Sequence, residues 1–394
     1  MAVSKGKLLL VTRDVDGGIG RHFVDLAAGM ADRGWKVHCV RAAGVEGHVT
    51  DHSARLDALA GVTVHEIPLA RSIGLGDLRS YLAFRRIVKQ HGPFDIAHGH
   101  GAKGGVLARL PCRSIKASVY TPHGLITLDK SSRGPKSAMY GAIESSLARL
   151  FTDAMILVSA GEKEEAQRLG APDRICHVVP NALAKPDLLG KTEARKQIGL
   201  PCDADIALFV GRFAHAKAPE RFISLIARLA QGRPTLQGLL IGSHDGRADL
   251  EVLASKAGVS DRLTFFKTER AASYMPAADV LIIPSRYEGL AYSMIEGLAA
   301  GLPIVSYDVP GATMGITDGE NGFIVPQAEE GKLAAATTAV LDHPERRAKM
   351  AAASLSRFPR FSLPKMIDSI DGVYRSLTET APAGIALQKQ VVGE

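Results

Sequence analysis

The sequence predicts an α/β protein built from two doubly wound, Rossmann-like domains that face each other across a cleft. Its 394 residues suffice for two to three average domains, and 46% apolar with 23% charged residues suit a globular chain. Short Val-, Ile- and Leu-rich runs alternate with longer amphipathic stretches, and the alternation breaks once, near residues 181–200. Because alternating strands and helices form parallel sheets covered on both faces, the break indicates two such sheets.

The elements follow from the hydrophobic periodicity. In the first half, strands are predicted at 8–12, 37–40, 62–67, 95–98, 118–121, 154–159 and 175–179, and helices at 20–33 and 75–91. In the second half, strands are predicted at 206–210, 239–241, 263–266, 280–283 and 304–307, and helices at 219–231, 249–257 and 291–301. We therefore expect domains at 1–185 and 186–360, and a C-terminal helix returning to the first domain, followed by a loose tail, at 361–394.

Charge is distributed unevenly. The formal net charge of +7 lies entirely in residues 1–190, which hold 25 basic and 18 acidic residues. The densest basic stretch contains Lys103, Arg109, Arg113, Lys116, Lys130, Arg133 and Lys136. Such a half can attract an anionic membrane surface or a phosphorylated substrate, although an ordinary solvated surface is the alternative. Nucleic acid is not an expected partner, because aromatic residues are only 5% and zinc-finger spacing is absent.

The cysteines and the chain start bear on location. Four separated cysteines without a CxxC pair exclude a zinc ribbon or disulfide framework and favour a reducing cytoplasm. No run approaches the ~18 apolar residues of a membrane span, and residues 1–7 lack a signal-peptide pattern. We expect a cytoplasmic protein.

A glycine-rich loop, residues 16–22, lies between the first strand and the first helix. Gly18 and Gly20 would let the backbone approach a bound anion, although a structural tight turn is the alternative. Phe23 stands where a dinucleotide fingerprint has its third glycine, so a nicotinamide cofactor is not indicated.

Three histidines, His98, His100 and His123, are predicted near strand ends beside glycines. There a histidine can bind a sugar hydroxyl or phosphate or transfer a proton, whereas the alternative is a ring satisfied by the loop backbone. His98 and His100 resemble a metal-binding pair, but the sequence supplies no evident third ligand, so we predict no metal site.

Two charged motifs follow strands of the second half. Arg212 and Lys217 share one loop, and a guanidinium with an ammonium suits a diphosphate, although two surface cations are the alternative. Glu288 lies in a turn before a helix that contains Glu296. The amides of residues 289–291 would point from the helix start towards a phosphate.

Taken together, these motifs resemble the retaining glycosyltransferases of the GT-B fold, in the glycogen-synthase-like and mannosyltransferase-like group called family four. The resemblance covers roughly residues 7–376 and is most specific in the Glu288-x7-Glu296 pair within its Pro-Ser…Glu-Gly-Leu…Gly-Leu-Pro frame. Residues 95–100 and 120–124 are most similar to members that build bacterial surface polysaccharides.

The resemblance implies a role for each matching position. Catalytic roles fall on His123, Arg212, Lys217 and Glu288. Donor-binding roles fall on Gly18, Gly20, Arg212, Lys217, Phe266, Glu288, Gly289, Leu290, Ala291 and Glu296. The acceptor would contact His98, His100 and Lys103. Arg212 and Lys217 would hold the diphosphate with help from the Gly20 backbone, Glu288 the donor sugar and Glu296 the ribose, while the backbone near Phe266 would read the base.

The implied activity is retaining transfer from a UDP- or GDP-sugar to a hydroxyl of a glycan or lipid-linked acceptor in envelope polysaccharide synthesis. Placement at the inner face of the cytoplasmic membrane and independence of metal are expected with it. The chain departs from the family at Ala218 and Lys267, where glycines are common, and lacks a glutamate before Asp318.

Other activities remain open from the sequence. A nucleotide-sugar epimerase or hydrolase could use twin α/β domains, whereas a phosphorylase would need a pyridoxal-phosphate lysine that is not evident. A non-catalytic nucleotide- or glycan-binding protein is the alternative outside enzymes.

Overall fold

The computed structural model describes residues 5–43, 51–70, 74–129, 134–242 and 246–379, apart from the side chain of residue 136. Within these residues, contacts divide the chain into two units. Among the described residues, the first unit comprises those within 5–127, 134–181 and 363–379, and the second comprises those within 128–129 and 182–362. The division thus falls at residues 181 and 362, where the sequence predicts boundaries at 185 and 360. The predicted tail beyond residue 379 lies outside the described residues.

The first unit alternates strands and helices along the chain. Its elements are β1 (Gly6–Thr12), α1 (Gly17–Asp32), β2 (Trp35–Ala42), α2 (Asp51–Asp57), β3 (Val62–Ile67), α3 (Gly76–His91), β4 (Phe94–His100), α4 (Gly101–Arg109), β5 (Ile115–Thr121), α5 (Pro135–Leu150), β6 (Ala154–Leu157), α6 (Ala160–Arg168) and β7 (Cys176–Val178). The apolar run 8–11 is fully buried because β1 lies in the middle of the sheet.

These seven strands form one parallel sheet in the order β3-β2-β1-β4-β5-β6-β7. The strand order reverses between β1 and β4, where Thr12 pairs with His100. At such a switch point the loops that follow the two strands diverge, and the crevice between them is the usual ligand site of an open α/β sheet.

Glycines let α4 approach this sheet. A Cβ at Gly104 would lie 2.3 Å from the Val11 carbonyl oxygen, and a Cβ at Gly99 would lie 2.3 Å from the Gly104 carbonyl oxygen. Any side chain at either position would push the helix away. This close packing fixes the start of α4, directly after His100, against β1.

The second unit repeats the alternation. Its elements are α7 (Lys191–Ile198), β8 (Ile206–Val210), α8 (Pro219–Ala230), β9 (Gln237–Ile241), α9 (Arg247–Lys256), β10 (Leu263–Phe266), α10 (Ala271–Tyr274), β11 (Val280–Ile283), α11 (Tyr292–Ala299), β12 (Ile304–Tyr307), α12 (Ala312–Gly315), β13 (Gly322–Val325), α13 (Glu330–Leu341) and α14 (Pro344–Arg357). The last described helix, α15 (Leu363–Glu379), belongs to the first unit.

The six strands of the second unit form a parallel sheet in the order β10-β9-β8-β11-β12-β13. Its switch point lies between β8 and β11. A core of aromatic and aliphatic side chains, among them Phe209, Phe222 and Tyr307, packs one face of the sheet. The predicted pair of doubly wound parallel sheets is therefore confirmed. The sequence analysis missed β13 because this strand begins at Gly322, directly after the turn-like residues 318–321.

The helix α15 returns to the first sheet. Asp371 accepts a hydrogen bond from Trp35 Nε1 at 2.7 Å, and the Tyr374 hydroxyl lies 2.6 Å from His98 Nδ1. Tyr374 is fully buried. The C-terminal segment thus supplies a partner for a histidine inside the sheet of the first unit.

None of the helices in the part of the chain that the structure describes combines the length and the apolar character needed to cross a membrane.

Candidate active site

The loop after β8 holds two cations at the switch point of the second sheet. Its backbone folds back on itself, since the amides of Lys217 and Ala218 both donate to the Ala214 carbonyl, at 3.0 and 3.1 Å. Ala218 has a φ of 52°, the left-handed conformation that glycine adopts most readily. Ala218 thus takes up a strained conformation at the start of α8.

The loop after β11 is fastened to the loop after β8 by Arg286. Its amide donates to the Ala216 carbonyl at 2.8 Å, its Nη1 donates to the His215 carbonyl at 2.7 Å, and its Nη2 pairs with Glu220 at 2.7 Å. The sequence analysis did not single out Arg286, because an arginine in a loop carries no signal of such contacts. Its three bonds fix the relative position of the two loops.

The two loops meet where Lys217 Nζ forms an ion pair with Glu288 Oε1. The Ser285 hydroxyl also donates to Glu288 Oε1, at 3.2 Å. Both charged side chains are mostly buried, with 22% of Lys217 and 14% of Glu288 exposed. Arg212, on the same loop as Lys217, is exposed. A partly desolvated cation beside an exposed one is an arrangement that can receive a diphosphate.

The helix α11 begins directly after this pair. Gly289, Leu290 and Ala291 lead into it and are buried, and the Ala291 carbonyl accepts the amide of Met294 at 3.2 Å in the first turn. Glu296 lies in the second turn and is 9% exposed. The loop after β12 packs closely here, since a Cβ at Gly311 would lie 2.2 Å from the Gly289 carbonyl oxygen. The structure therefore has the predicted order along the chain: the turn with Glu288, then the start of α11, then Glu296.

Phe266, the predicted base-reading position, ends the edge strand β10. Its carbonyl accepts a hydrogen bond from the Gly242 amide at 3.4 Å, and its ring meets Tyr274 edge-on at 4.9 Å. The structure places Phe266 two strands away from β8 in the sheet.

The two glycines of the first unit that are predicted to contact the donor, Gly18 and Gly20, have different surroundings. Gly18 lies in the first turn of α1, where amides have no partner within the helix. The Gly20 amide donates to the Asp16 carbonyl at 3.1 Å, and the expected contribution of the Gly20 backbone to diphosphate binding stays a prediction. Gly20 is also needed for packing, since a Cβ there would lie 2.2 Å from the Val15 carbonyl.

The rings of four histidines of the first unit pack into one cluster. Ring centroids are 4.0 Å apart for His98 and His100, 5.4 Å for His100 and His123, and 4.7 Å for His22 and His123. His123 Nε2 lies 3.1 Å from His100 Nδ1, and the His123 backbone has a left-handed φ of 58°. The sequence analysis did not select His22, whose position inside a helix gives no sign of this clustering.

The members of the cluster differ in what their nitrogens contact. His22 Nδ1 lies 3.1 Å from Asn181 Oδ1, and the Nε2 atoms of His22 and His100 are buried without a hydrogen-bond partner among the described residues. One nitrogen each of His22, His100 and His123 lies within 4.8 Å of the others, a spacing that could hold a metal ion. This trio differs from the pair that the sequence suggested, since it contains His100 but not His98, and the expectation of no metal site stays a prediction.

His98 does not have the strand-end position that the sequence analysis expects. It lies within β4 and is fully buried, with Nδ1 2.6 Å from the Tyr374 hydroxyl and Nε2 2.8 Å from the Thr121 hydroxyl. Both nitrogens are thus occupied by protein groups, which leaves none for an acceptor.

Burial governs the protonation of this cluster. Desolvation lowers the pKa of His22 to about 4, against a weaker raising effect of its hydrogen bond to Asn181. Burial also lowers the pKa of His98, His100 and His123 well below the usual value, and neighbouring histidines lower it further. The rings are therefore neutral at pH 7, and each offers a lone pair rather than a positive charge.

Glu162 supports the loop that carries His123. It is fully buried at the start of α6, where its amide donates to the capping Ser159 hydroxyl at 3.2 Å. Its carboxylate accepts the amides of Gly124 at 2.5 Å and Val158 at 2.8 Å. Burial raises the pKa of Glu162 to about 7 in spite of these bonds. The Ser-x-x-Glu spacing is a helix-start signal that could have identified it.

A cavity of about 600 Å³ lies at the carboxyl ends of β1, β4 and β5. Its walls are largely apolar and are formed by α3, α4, α5 and the segment after β5; they include Tyr81, Val106, Leu107, Leu125, Tyr140 and Ile143. Polar side chains at its edge include His100 and Lys103, and Lys103 pairs with Asp77. A cavity of this size fits a small organic ligand or an apolar chain segment.

The predicted basic stretch is not one continuous surface. Arg109 is fully buried, forms two bonds to Glu144 and stacks 3.8 Å from the Tyr120 ring centroid, while Lys116 pairs with Asp95. Lys130, Arg133 and the Lys136 side chain lie outside the described residues. Exposed basic residues instead line α3, at Arg79, Arg85, Arg86 and Lys89.

Both halves of the sequence match family models of glycosyl transferases. The model described as "Glycosyl transferases group 1" matches residues 190–357, and "Glycosyl transferase 4-like domain" matches residues 17–182. A D-inositol 3-phosphate glycosyltransferase 2 of Catenulispora acidiphila is 30% identical over 88% of this chain and 86% of its own length. A D-inositol 3-phosphate glycosyltransferase of Stackebrandtia nassauensis is 28% identical over 95% of this chain and 88% of its own length.

Solved structures share the fold. Sucrose-phosphate synthase of Thermosynechococcus elongatus has a TM-score of 0.80 and 20% identity, over 96% of this chain and 100% of its own. The Anabaena protein HepE, solved in complex with UDP-glucose, has a TM-score of 0.77 and 18% identity, over 94% of this chain and 100% of its own. With two doubly wound units, the paired loops at the second switch point and these matches, the chain belongs to the glycosyl transferases group 1 family and has the GT-B fold.

Proposed function

We propose that this protein transfers a sugar from a nucleotide diphosphate sugar to an acceptor hydroxyl with retention at the anomeric carbon. The observation that carries the proposal is the Lys217–Glu288 ion pair at the β8/β11 switch point, beside Arg212 and the first turn of α11. This arrangement puts a cation and a carboxylate in direct contact, with a second cation on the same loop as Lys217.

The cations would act on the leaving group. When the bond from sugar to diphosphate breaks, negative charge grows on the departing oxygen while the sugar becomes oxocarbenium-like. Lys217 and Arg212 would stabilise that negative charge once the donor is bound, and one group positioned at the developing charge is typically worth about 3 kcal/mol of barrier. Because these cations are side chains of the protein, stabilisation of the negative charge on the leaving group does not require a catalytic metal.

The carboxylates would hold the donor. Glu288, near the cations, would hydrogen-bond the transferred sugar, and Glu296, one turn into α11, would reach the ribose. Both carboxylates lie on one unit and close together in the chain, which does not suit two acids flanking a glycosidic bond. We favour attack on the same face that the diphosphate leaves, with the leaving oxygen accepting the acceptor proton.

His123 would contact the transferred sugar as a neutral ring, because its pKa is lowered by burial and by its neighbours His22 and His100. The HepE complex with UDP-glucose supports a uridine nucleotide, and the segment ending at Phe266 would contact the base. A guanosine nucleotide is the alternative that a donor panel distinguishes.

The acceptor would be a lipid-linked glycan of the bacterial envelope. The 600 Å³ cavity has largely apolar walls, and its edge cation Lys103 is already paired with Asp77. Relatives are named for D-inositol 3-phosphate, so a phosphorylated polyol is the second candidate. An apolar lining favours an acceptor with a hydrocarbon part over a small phosphorylated polyol.

A membrane surface would present such an acceptor. Leu78 and Leu82 of α3 are 64% and 51% exposed, and Leu75 just before the helix is 97% exposed. They alternate with the exposed basic residues of α3, a pattern typical of helices that lie on anionic membranes. The proposed location is therefore peripheral, at the cytoplasmic face of the inner membrane.

The proposed reaction is tested by incubating the full chain with one donor, UDP-glucose, UDP-N-acetylglucosamine or GDP-mannose, and one acceptor, a lipid-linked glycan or inositol phosphate. Expected results are nucleotide release only with acceptor, an α-linked product by its anomeric NMR coupling from an α-linked donor, and unchanged turnover in EDTA. An inverted product would contradict retention, and loss of turnover in EDTA would contradict metal independence.

The same assay separates the alternatives. Donor consumed without acceptor would support an epimerase or hydrolase, and donor binding without turnover of any donor and acceptor pair would support a binding protein. Turnover of inositol phosphate but not of lipid-linked glycans would replace the proposed acceptor by the phosphorylated polyol.

A further inference from the structure

A second group of histidines lies in the first unit, away from the cluster on β4 and β5. His38 is on β2, His65 is on β3, and His91 is the last residue of α3. In the parallel register His38 pairs with Thr63 and Val40 pairs with His65, so His38 and His65 are on the same face of the sheet. The end of α3 covers that face.

The three rings are packed together. Centroids are 5.3 Å apart for His38 and His65, 4.7 Å for His65 and His91, and 5.4 Å for His38 and His91. His38 Nδ1 lies 3.0 Å from His65 Nε2, and one nitrogen of each ring lies within 4.8 Å of the others. Lys7 Nζ donates to the His91 carbonyl at 2.9 Å, which holds the helix end in place.

His38 leaves one nitrogen unsatisfied. The residue is 3% exposed, and its Nε2 is buried without a hydrogen-bond partner among the described residues. Phe94 covers the ring edge-on at 5.3 Å. A buried polar atom with no partner is unusual in a folded protein and calls for a ligand or another explanation.

The chemistry of the trio suits a transition metal. Burial lowers the pKa of His38 to about 4, with further lowering by His65, His91, Lys36 and Lys7, and burial lowers the pKa of His65 as well. These two imidazoles are therefore neutral at pH 7 and have lone pairs available. Neutral nitrogen ligands without a carboxylate favour Zn²⁺, Cu²⁺, Ni²⁺ or Co²⁺ over Mg²⁺ or Ca²⁺.

We propose that His38, His65 and His91 bind one divalent transition-metal ion and that this ion is Zn²⁺. Three nitrogens around Zn²⁺ at 2.0–2.1 Å would lie roughly 3.3 Å apart. His38 Nδ1 and His65 Nε2 lie 3.0 Å apart, and one nitrogen of His91 lies within 4.8 Å of the other two rings' ligand atoms, so a small movement of the His91 ring would complete the trio around an ion. His65 and His91 are partly exposed, so water can complete the fourth position. The site shares no residue with the proposed sugar-transfer machinery.

The test measures metal binding rather than activity. The full chain carrying His123→Gln, which removes a ligand of the other cluster, is dialysed against EDTA and titrated with Zn²⁺ and with Co²⁺. We expect one bound ion per chain, a visible Co²⁺ spectrum of tetrahedral type, and a higher Tm with Zn²⁺. Adding His65→Gln or His91→Gln should weaken Zn²⁺ binding about 100-fold or more, since even second-shell changes cost 10–100-fold.

The exposed His343 provides the matched control, because His343→Gln should leave affinity and spectrum unchanged. Circular dichroism checks folding, and the two ligand variants serve as independent replacements if one of them misfolds. Absence of stoichiometric Zn²⁺ binding, or unchanged affinity in a folded ligand variant, would overturn the proposal. Sugar transfer plays no part in these readouts, so failure of the proposed function would leave them unaffected.

Discussion

The ammonium group of Lys217 lies directly against the carboxylate of Glu288, which joins the loops that follow two adjacent strands of the second sheet. Each residue stabilises the other in a partly buried environment. A diphosphate arriving there would compete with Glu288 for Lys217, so donor binding and the orientation of Glu288 are expected to be linked.

Replacing Lys217 tests its part in leaving-group stabilisation. Lys217→Ala should lower kcat by about 10²–10³-fold, because a preorganised group at the developing charge is lost. Steady-state nucleotide release measures this effect. Lys332→Ala, which removes an exposed lysine paired with Glu329, is the control and should retain full turnover. Equal kcat for Lys217→Ala and the parent would exclude Lys217 from this role.

Arg286 is expected to act by positioning. Arg286→Ala removes the bonds to His215 and Glu220 and should lower kcat by about 10²-fold, since small misplacements of reacting groups have effects of this size. Arg286→Lys should recover part of the loss. The donor KM and the Tm are measured in parallel. A loss of Tm with kcat unchanged would mean that Arg286 only stabilises the fold.

Glu162 should make folding stability depend on pH. Its pKa of about 7 exceeds the ordinary 4.5, so between these values the folded chain keeps a proton that the unfolded chain releases. Its contribution to the free energy of unfolding is therefore largest below pH 4.5 and falls by about 3 kcal/mol as pH rises through 7. Urea unfolding from pH 5 to 8 should show this fall for the parent relative to Glu162→Gln.

The control for Glu162 is Glu164→Gln, an exposed change on the same helix, which should follow the parent at every pH. Parallel curves for the parent and Glu162→Gln would show that burial does not raise the pKa of Glu162 in solution.

His22 should have the opposite effect. Its pKa of about 4 lies below the ordinary 6.5, so the unfolded chain binds a proton that the folded chain does not. The stabilisation is fully present above pH 6.5 and falls by about 3 kcal/mol as pH drops towards 4. The other buried histidines also destabilise the fold at low pH, so urea unfolding of His22→Gln should show a fall smaller than the parent's by about 3 kcal/mol, whereas exposed His343→Gln should match the parent. An equal fall in the free energy of unfolding for the parent, His22→Gln and His343→Gln would contradict a lowered pKa of His22.

The exposed leucines of α3 should govern membrane association. Leu78→Ser combined with Leu82→Ser should weaken binding to anionic vesicles about tenfold, which corresponds to about 1.4 kcal/mol of lost apolar burial. Vesicle sedimentation at low and high salt measures the affinity. Leu355→Ser, on α14 of the second unit and 52% exposed, is the matched control. Vesicle binding that ignores both the leucines and the salt would contradict a membrane role for α3.

Regular elements were predictable where hydrophobic periodicity was long and clear. Strands β3, β8, β10, β11 and β12 have the predicted bounds, because continuous apolar runs bounded by turn residues mark buried parallel strands. Strand β13 was not predicted, since it begins with a glycine, a residue that strands disfavour, directly after the turn-like residues 318–321. The sequence predicts a role for Lys217 and Glu288 because each lies in a charged motif directly after such a strand.

Other features depend on residues far apart in the chain. Arg109 was counted as surface charge although Glu144 and Tyr120 enclose it, and His98 was placed at a strand end although Tyr374, 276 residues later, binds it inside the sheet. Hydrophobic patterning fixes which faces are buried and how strands and helices alternate, so the sequence by itself determined the two doubly wound units and the loops that carry the cations and acids. Which polar side chains meet was decided only by the tertiary structure, because hydrogen bonds and ion pairs form over about 3 Å and depend on packing that local periodicity does not encode.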